Sequence, residues 1–105
     1  MSKLLSSNNK VILLEVKSYF LGMLLHLTDL LTNQRNEDRD TAEVRAVTLG
    51  RIAGVGLAMH QVFGGAVEQL GYAEHRGVKE AGVRTYEVAM KHLKNLEARH
   101  ERSLN

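Results

Sequence analysis

The sequence predicts an all-α protein in which three long antiparallel helices form a bundle in a single domain, residues 1–105. The chain of 105 residues contains no proline, the residue that interrupts helices. Apolar residues recur every three or four positions over three long stretches, which is the period of a helix, and no stretch is convincing as a strand. A chain of this length makes one domain with a modest core.

The first predicted helix is apolar around most of its circumference. It runs from Asn8 or Asn9, either of which can cap its N-terminus, to Thr32. A surface helix usually has a narrower apolar face, so this helix needs more than one neighbour. Its polar residues form one narrow stripe: Glu15, Ser18, Gly22, His26 and Asp29.

The second and third helices follow from caps and from apolar spacing. Residues 33–40 contain no apolar side chain and predict a solvated loop, with Asp40 as the cap of the second helix and Glu43 as its capping-box partner. The second helix extends to about Leu70, where Gly71 resembles a C-cap. After a connector, the amphipathic third helix covers residues 78–102.

Small residues repeat every four positions in the second helix, at Ala46, Gly50, Gly54 and Ala58. On a helix they form one ridge along one side. Each interior glycine costs about 0.8–1 kcal/mol relative to alanine, a cost that a closely packed neighbouring helix offsets. The ridge therefore predicts close packing, either against the first helix of the same chain or against another chain.

The wide apolar face of the first helix predicts a homodimer. Three antiparallel helices leave that face half covered, and closed two-fold dimers are the commonest oligomers. We expect association through the first helix, the ridge of the second, or both, with Phe20 and Met23 as anchors. The residues expected at this surface are Phe20, Met23, Leu24, Ala46, Gly50, Gly54, Ala58 and Met59.

The composition favours no enzyme class. Cysteine is absent, which excludes disulfides, thiolate metal sites and cysteine nucleophiles. No glycine-rich phosphate loop follows a strand, and no serine, histidine and aspartate combination has the spacing of a catalytic triad. We therefore expect a protein that is not an enzyme, with no catalytic residue, no cofactor and no small-molecule substrate.

The titratable residues do not predict a metal site. Glu97 and His100 form a single Glu-x-x-His unit, whereas di-iron bundles use two such units and two further glutamates. The acidic residues between 37 and 43 lack the spacing and the central glycine of a calcium loop. His60 is the histidine of most interest, because it shares a helix with the ridge.

Charges within the apolar stretches argue against a membrane protein. Residues 11–31 include Glu15, Lys17 and Asp29, and residues 49–67 include Arg51, whereas a membrane span is nearly free of charges. The first residues lack the apolar stretch and the cleavage site of a signal peptide. We expect a cytoplasmic protein without membrane contact.

The favoured function is a small helical protein–protein interaction module of the adaptor, chaperone or inhibitor type, acting as a homodimer. The alternative is a dimeric DNA-binding regulator, because residues 48–63 loosely resemble a helix-turn-helix. In that resemblance Gly54 is the turn glycine, and Arg51, His60 and Gln61 reach DNA. A mostly apolar recognition helix speaks against it, as does the low formal charge of +2.

Overall fold

The structure is a computed structural model that describes the backbone of residues 2–33 and 41–104 and the side chains of residues 8–33 and 43–99. It contains α1 (Ser2–Asn33), α2 (Thr41–Glu68), a 3-10 turn (Ala73–His75) and α3 (Arg76–Leu104). No strand occurs among the described residues, and the three helices pack together, which confirms the all-α prediction. The molecule is elongated, with dimensions of 63 × 21 × 15 Å.

Two glycines bring α2 and α3 into backbone contact. A Cβ atom on Gly56 would lie 2.7 Å from the carbonyl oxygen of Gly82 and 2.8 Å from the amide nitrogen of Tyr86. A Cβ atom on Gly82 would lie 2.6 Å from the carbonyl oxygen of Gly56 and 2.7 Å from the amide nitrogen of His60. Because these neighbours are backbone atoms, no side chain fits between the helices at this point without separating them.

The core lies beside this crossing and includes one face of α1. Phe63 and Met59 of α2 are fully buried, and Leu27 of α1 packs with Met59 and Val55. The rings of Phe20 and Phe63 meet edge to face, with centroids 6.4 Å apart, a favourable aromatic arrangement. These contacts attach α1 to the α2–α3 pair. Later residues of α1 meet earlier residues of α2, so the two helices are antiparallel.

The end of α2 confirms the C-cap prediction. Gly71 has a φ of +74°, the left-handed conformation that glycine adopts at little cost. The amide of Tyr72 then donates a hydrogen bond of 2.9 Å to the carbonyl of Ala66, which turns the chain back toward the bundle. The ammonium of Lys10 lies 5.2 Å from the centroid of the buried Tyr72 ring, within the range of a cation–π contact.

The predicted helix boundaries need correction at three places. α1 begins at Ser2, so Asn8 and Asn9 lie inside the helix and are not its caps. The chain before them contains no proline or glycine to stop the helix. Asn33 belongs to α1, and α3 begins at Arg76 rather than at residue 78. The predicted cap at Asp40 lies outside the described residues.

Lys79 ties the end of α2 to the beginning of α3. Its Nζ atom donates a hydrogen bond of 2.6 Å to Oε1 of Glu68, and its aliphatic stem lies against Gly64. The Lys79 ammonium holds the pKa of the Glu68 carboxyl below its usual value of 4.5. The Nδ1 atom of His60 lies 3.4 Å from the Lys79 carbonyl oxygen. Lys79 therefore contacts three residues of α2: His60, Gly64 and Glu68.

We predict that Gly82→Ala lowers the free energy of unfolding by about 1–3 kcal/mol, because the new methyl group would press on the α2 backbone. The matched control is Gly22→Ala in α1, where a Cβ would meet nothing within 4 Å. This control should gain up to about 1 kcal/mol from helix propensity. Urea denaturation measures both variants, and an unchanged midpoint for Gly82→Ala would contradict the close crossing.

We also predict that the contribution of the Glu68–Lys79 ion pair depends on pH. A carboxyl whose pKa is lower in the folded state stabilises the protein above its unfolded pKa, and this contribution is lost as the pH falls through the folded pKa. Glu68→Gln should therefore melt below wild type near pH 7, and the difference should shrink as the pH falls below the usual pKa of a glutamate and Glu68 becomes protonated. Glu80→Gln, an exposed change on α3, should show no such pH-dependent difference.

Candidate protein interface

An open apolar groove of about 640 Å³ runs between α1 and α2. Its floor at Gly54 and Ala58 has little side chain, while Tyr19 and Met23 of α1 rise along one side. Arg51 and His26, both exposed, supply its polar groups. The groove is lined by Tyr19, Phe20, Met23, His26, Leu27, Arg51, Gly54, Val55 and Ala58.

The ridge of small residues is open to solvent at its two central positions. A Cβ atom on Gly50 or Gly54 would meet nothing within 4 Å. The prediction of close packing within the chain is therefore wrong for these glycines. Gly56 lies on the side of α2 that meets α3, and α1 contacts α2 through Val55 and Met59, so the ridge is left on the outer side. Packing against another chain stays a prediction.

The structure divides the other predicted association residues into two groups. Phe20 and Met23 pack against the core and also line the groove, so they remain accessible from outside. Met59 is only 1% exposed and belongs to the core, so its assignment to an association surface is wrong. The periodicity of α2 places Met59 near the seam with α3, where Gly82 comes against its Cβ atom. Leu24 is half-buried against the same core.

α1 exposes much of its apolar surface, as its wide apolar face predicts. Tyr19 is 67% exposed and Leu25 is 66% exposed, although both are large side chains. Large exposed apolar patches mark sites of interaction with other proteins or with membranes. The exposed large apolar residues of α1 are Val11, Ile12, Leu14, Tyr19, Leu21 and Leu25.

Two helical stretches are long and apolar enough to cross a bilayer, judged by length and composition alone. The most apolar part of Asn8–Asn33 is 11% buried within the protein, and that of Glu43–Glu68 is 39% buried. The core helix of a soluble protein meets the same criteria when its neighbours cover it. The expectation that neither stretch spans a membrane rests on their charges and stays a prediction.

The residues of the DNA-binding alternative do not share one face. α2 continues without interruption from Thr41 to Glu68, so the turn that a helix-turn-helix requires at Gly54 is not formed. Arg51 lies at the groove, whereas His60 lies about 180° around the helix, beside the Lys79 carbonyl of α3. Gln61 is exposed. The helix-turn-helix geometry is therefore wrong for this segment.

Sequence reasoning also missed a buried histidine. His75 belongs to the connector between the second and third predicted helices, yet it is 5% exposed, and its ring lies tilted against that of Phe63 at a centroid distance of 5.2 Å. The 3-10 turn folds it back under the end of α2, beside Tyr72. A local pattern does not reveal this, because the contact with Phe63 depends on the return of the chain after Gly71.

Comparison with protein-family models, with curated proteins and with solved structures finds no match for this chain. Among the described residues, no three histidine, aspartate or glutamate side chains converge as metal ligands. The function is therefore inferred from the geometry of the groove and of the exposed helix faces.

Proposed function

We propose that this protein is a non-enzymatic association module that pairs with a second copy of itself through the groove between α1 and α2. One observation carries this proposal: Gly50 and Gly54 leave one side of the α2 backbone open, and at Gly54 this side adjoins the exposed Tyr19 of α1. Burial of apolar surface stabilises a complex by about 25 cal/mol per Å² before the costs of association. A second helix laid on the ridge also offsets the cost of two mid-helix glycines.

A second copy fits this surface because the ridge can pack against itself. The small residues from Ala46 to Ala58 extend over roughly 18 Å of one helix side. In a two-fold dimer the same patch is used by both partners, so a ridge of glycine and alanine faces another such ridge. The two α2 helices then approach to about 8 Å, the lower end of interhelical distances.

The surrounding apolar side chains supply the area that a stable dimer needs. A standard interface takes about 800 Å² from each partner, roughly a tenth of the 7639 Å² accessible surface of this chain. Val47 and Leu57 are exposed one turn before Gly50 and one turn after Gly54, on the same side of α2. Tyr19 adds an aromatic ring from α1, the residue type enriched at interface centres.

Dimerisation through the groove leaves a second apolar stripe for a different protein. Leu14, Leu21 and Leu25 recur at intervals of seven and four residues, which places them on one side of α1. By the same spacing this side lies away from the core-facing Leu27. A dimer would present two such stripes, which suits an adaptor, chaperone or inhibitor that holds an apolar helix of its partner.

The experiment is the solution mass by light scattering across protein concentrations. Wild type should weigh about twice the 11.7 kDa of one chain. Gly54→Leu should weigh about one chain, because the new side chain enters the groove from a position where its Cβ meets nothing within 4 Å inside the protomer. The matched control is Gly77→Leu in α3, where a Cβ also meets nothing within 4 Å. It should remain dimeric, as should the exposed change Lys91→Ala.

Four results would overturn the proposal. A wild type that stays monomeric at all concentrations would exclude the dimer, and a dimer that survives Gly54→Leu would exclude the groove. Sedimentation of the wild type with phosphatidylcholine vesicles, together with a monomeric mass without them, would assign the apolar faces to lipid. Retention on duplex DNA that falls steeply with salt, again by a monomer, would favour the DNA-binding alternative.

A further inference from the structure

A second recess, separate from the groove, lies where α1 ends, beside the beginning of α2 and the end of α3. Its volume is about 250 Å³, and its lining is rich in polar and cationic groups. No carboxylate of the described residues lines it. The lining residues are Thr28, Leu31, Thr32, Arg45, Leu49, His92, Asn95, Leu96 and Arg99.

Arg45 is the residue that points to a ligand. Its Nε atom is buried and has no hydrogen-bond partner among the described residues. An arginine side chain keeps its charge at every physiological pH. A buried donor on a charged group is costly when it stays unpaired. Because solvent does not reach Nε, this atom meets an acceptor in the recess only if the Arg45 side chain turns toward it, and a negatively charged acceptor there would favour that turn.

The other polar groups of the recess complete a set of donors. Arg99 supplies a second guanidinium, and Asn95 supplies an amide from the same side of α3. The hydroxyl protons of Thr28 and Thr32 are already donated to backbone carbonyls, at 2.7 and 2.9 Å. The donors that remain for a ligand therefore come from α2 and α3.

We propose that this recess binds a small anion through a phosphate group, either inorganic phosphate or a small phosphate monoester. The planar fork of a guanidinium matches the oxygen atoms of phosphate, and two such forks line one recess. The volume lies just below the roughly 300–1,000 Å³ of typical small-molecule sites. The recess therefore accommodates a phosphate with a small substituent rather than a nucleotide.

Isothermal titration calorimetry at constant ionic strength tests this site with two probes, inorganic phosphate and methyl phosphate. Wild type should bind with saturation at one site per chain. Arg45→Met should weaken binding about tenfold or more, since a hydrogen bond to a charged group is lost. Arg99→Met should weaken it in the same direction. The control Arg76→Met removes the same charge at the opposite, exposed end of α3 and should leave binding unchanged.

The comparison of the two probes identifies the source of the phosphate group. Tighter binding of methyl phosphate would indicate a monoester, and equal or weaker binding would indicate free phosphate. Circular dichroism verifies that each variant folds. If Arg45→Met does not fold, the binding measured for Arg99→Met decides the test alone. The mass of the protein is measured separately, so a failure of this site and a failure of the dimer are distinguishable.

Three outcomes would overturn the site. Absence of saturable binding by wild type up to on the order of 10 mM phosphate would exclude it. Equal weakening by Arg76→Met and Arg45→Met would show attraction by overall charge only. Saturable binding that Arg45→Met and Arg99→Met both leave unchanged would place the anion outside the recess.

Discussion

The contact between the backbones of Gly56 and Gly82 is the constraint on which the rest of the bundle depends. It fixes the distance between α2 and α3 by main-chain atoms rather than by side chains. With the helices this close, Met59 and Phe63 become fully buried on the α2 side. The ion pair of Lys79 with Glu68 and the capped turn at Gly71 lie near one end of the same seam.

This tight pair determines how little of α1 can be covered. Because α3 covers one side of α2, α1 packs on the remaining core-facing side through residues such as Phe20 and Leu27. The outer side of α2 and two sides of α1 then have no neighbour within the described part of the chain. The surplus of apolar surface is thus a result of the packing inside the bundle, and it is the physical basis of the proposed association.

The sequence was sufficient for features that depend on local or periodic information. The absence of proline and the apolar period predict three helices, and Gly71 after an apolar run predicts the left-handed cap. The sequence was insufficient for features that depend on how two helices are rotated about their axes relative to each other. Four-residue spacing drew attention to Gly50 and Gly54, whereas the close contact uses Gly56 with Gly82. The periodicity of one helix cannot show which glycine faces a glycine of another.

The groove and the basic recess also depend on which sides of different helices meet, which the sequence of one helix does not show. Phe20, Met23, Gly54 and Ala58 were grouped from their residue types, and the structure brings them together. Met59 has a similar character but lies on the covered side of its helix. The recess around Arg45 involves all three helices, so no single stretch of the sequence displays it.

The pairing of Gly56 with Gly82 also locks the register of the α2–α3 hairpin. Sliding α3 by one turn would bring Val78 or Tyr86 opposite Gly56, and either side chain would force the helices apart. The two glycines, and not the connection from Gln69 to His75, therefore set the alignment of the helices, so one residue inserted in that connection would bulge outward rather than shift them. A shortened connection would instead strain the turn, because it would have to keep both the hydrogen bond from Tyr72 to Ala66 and the contact of the two glycines.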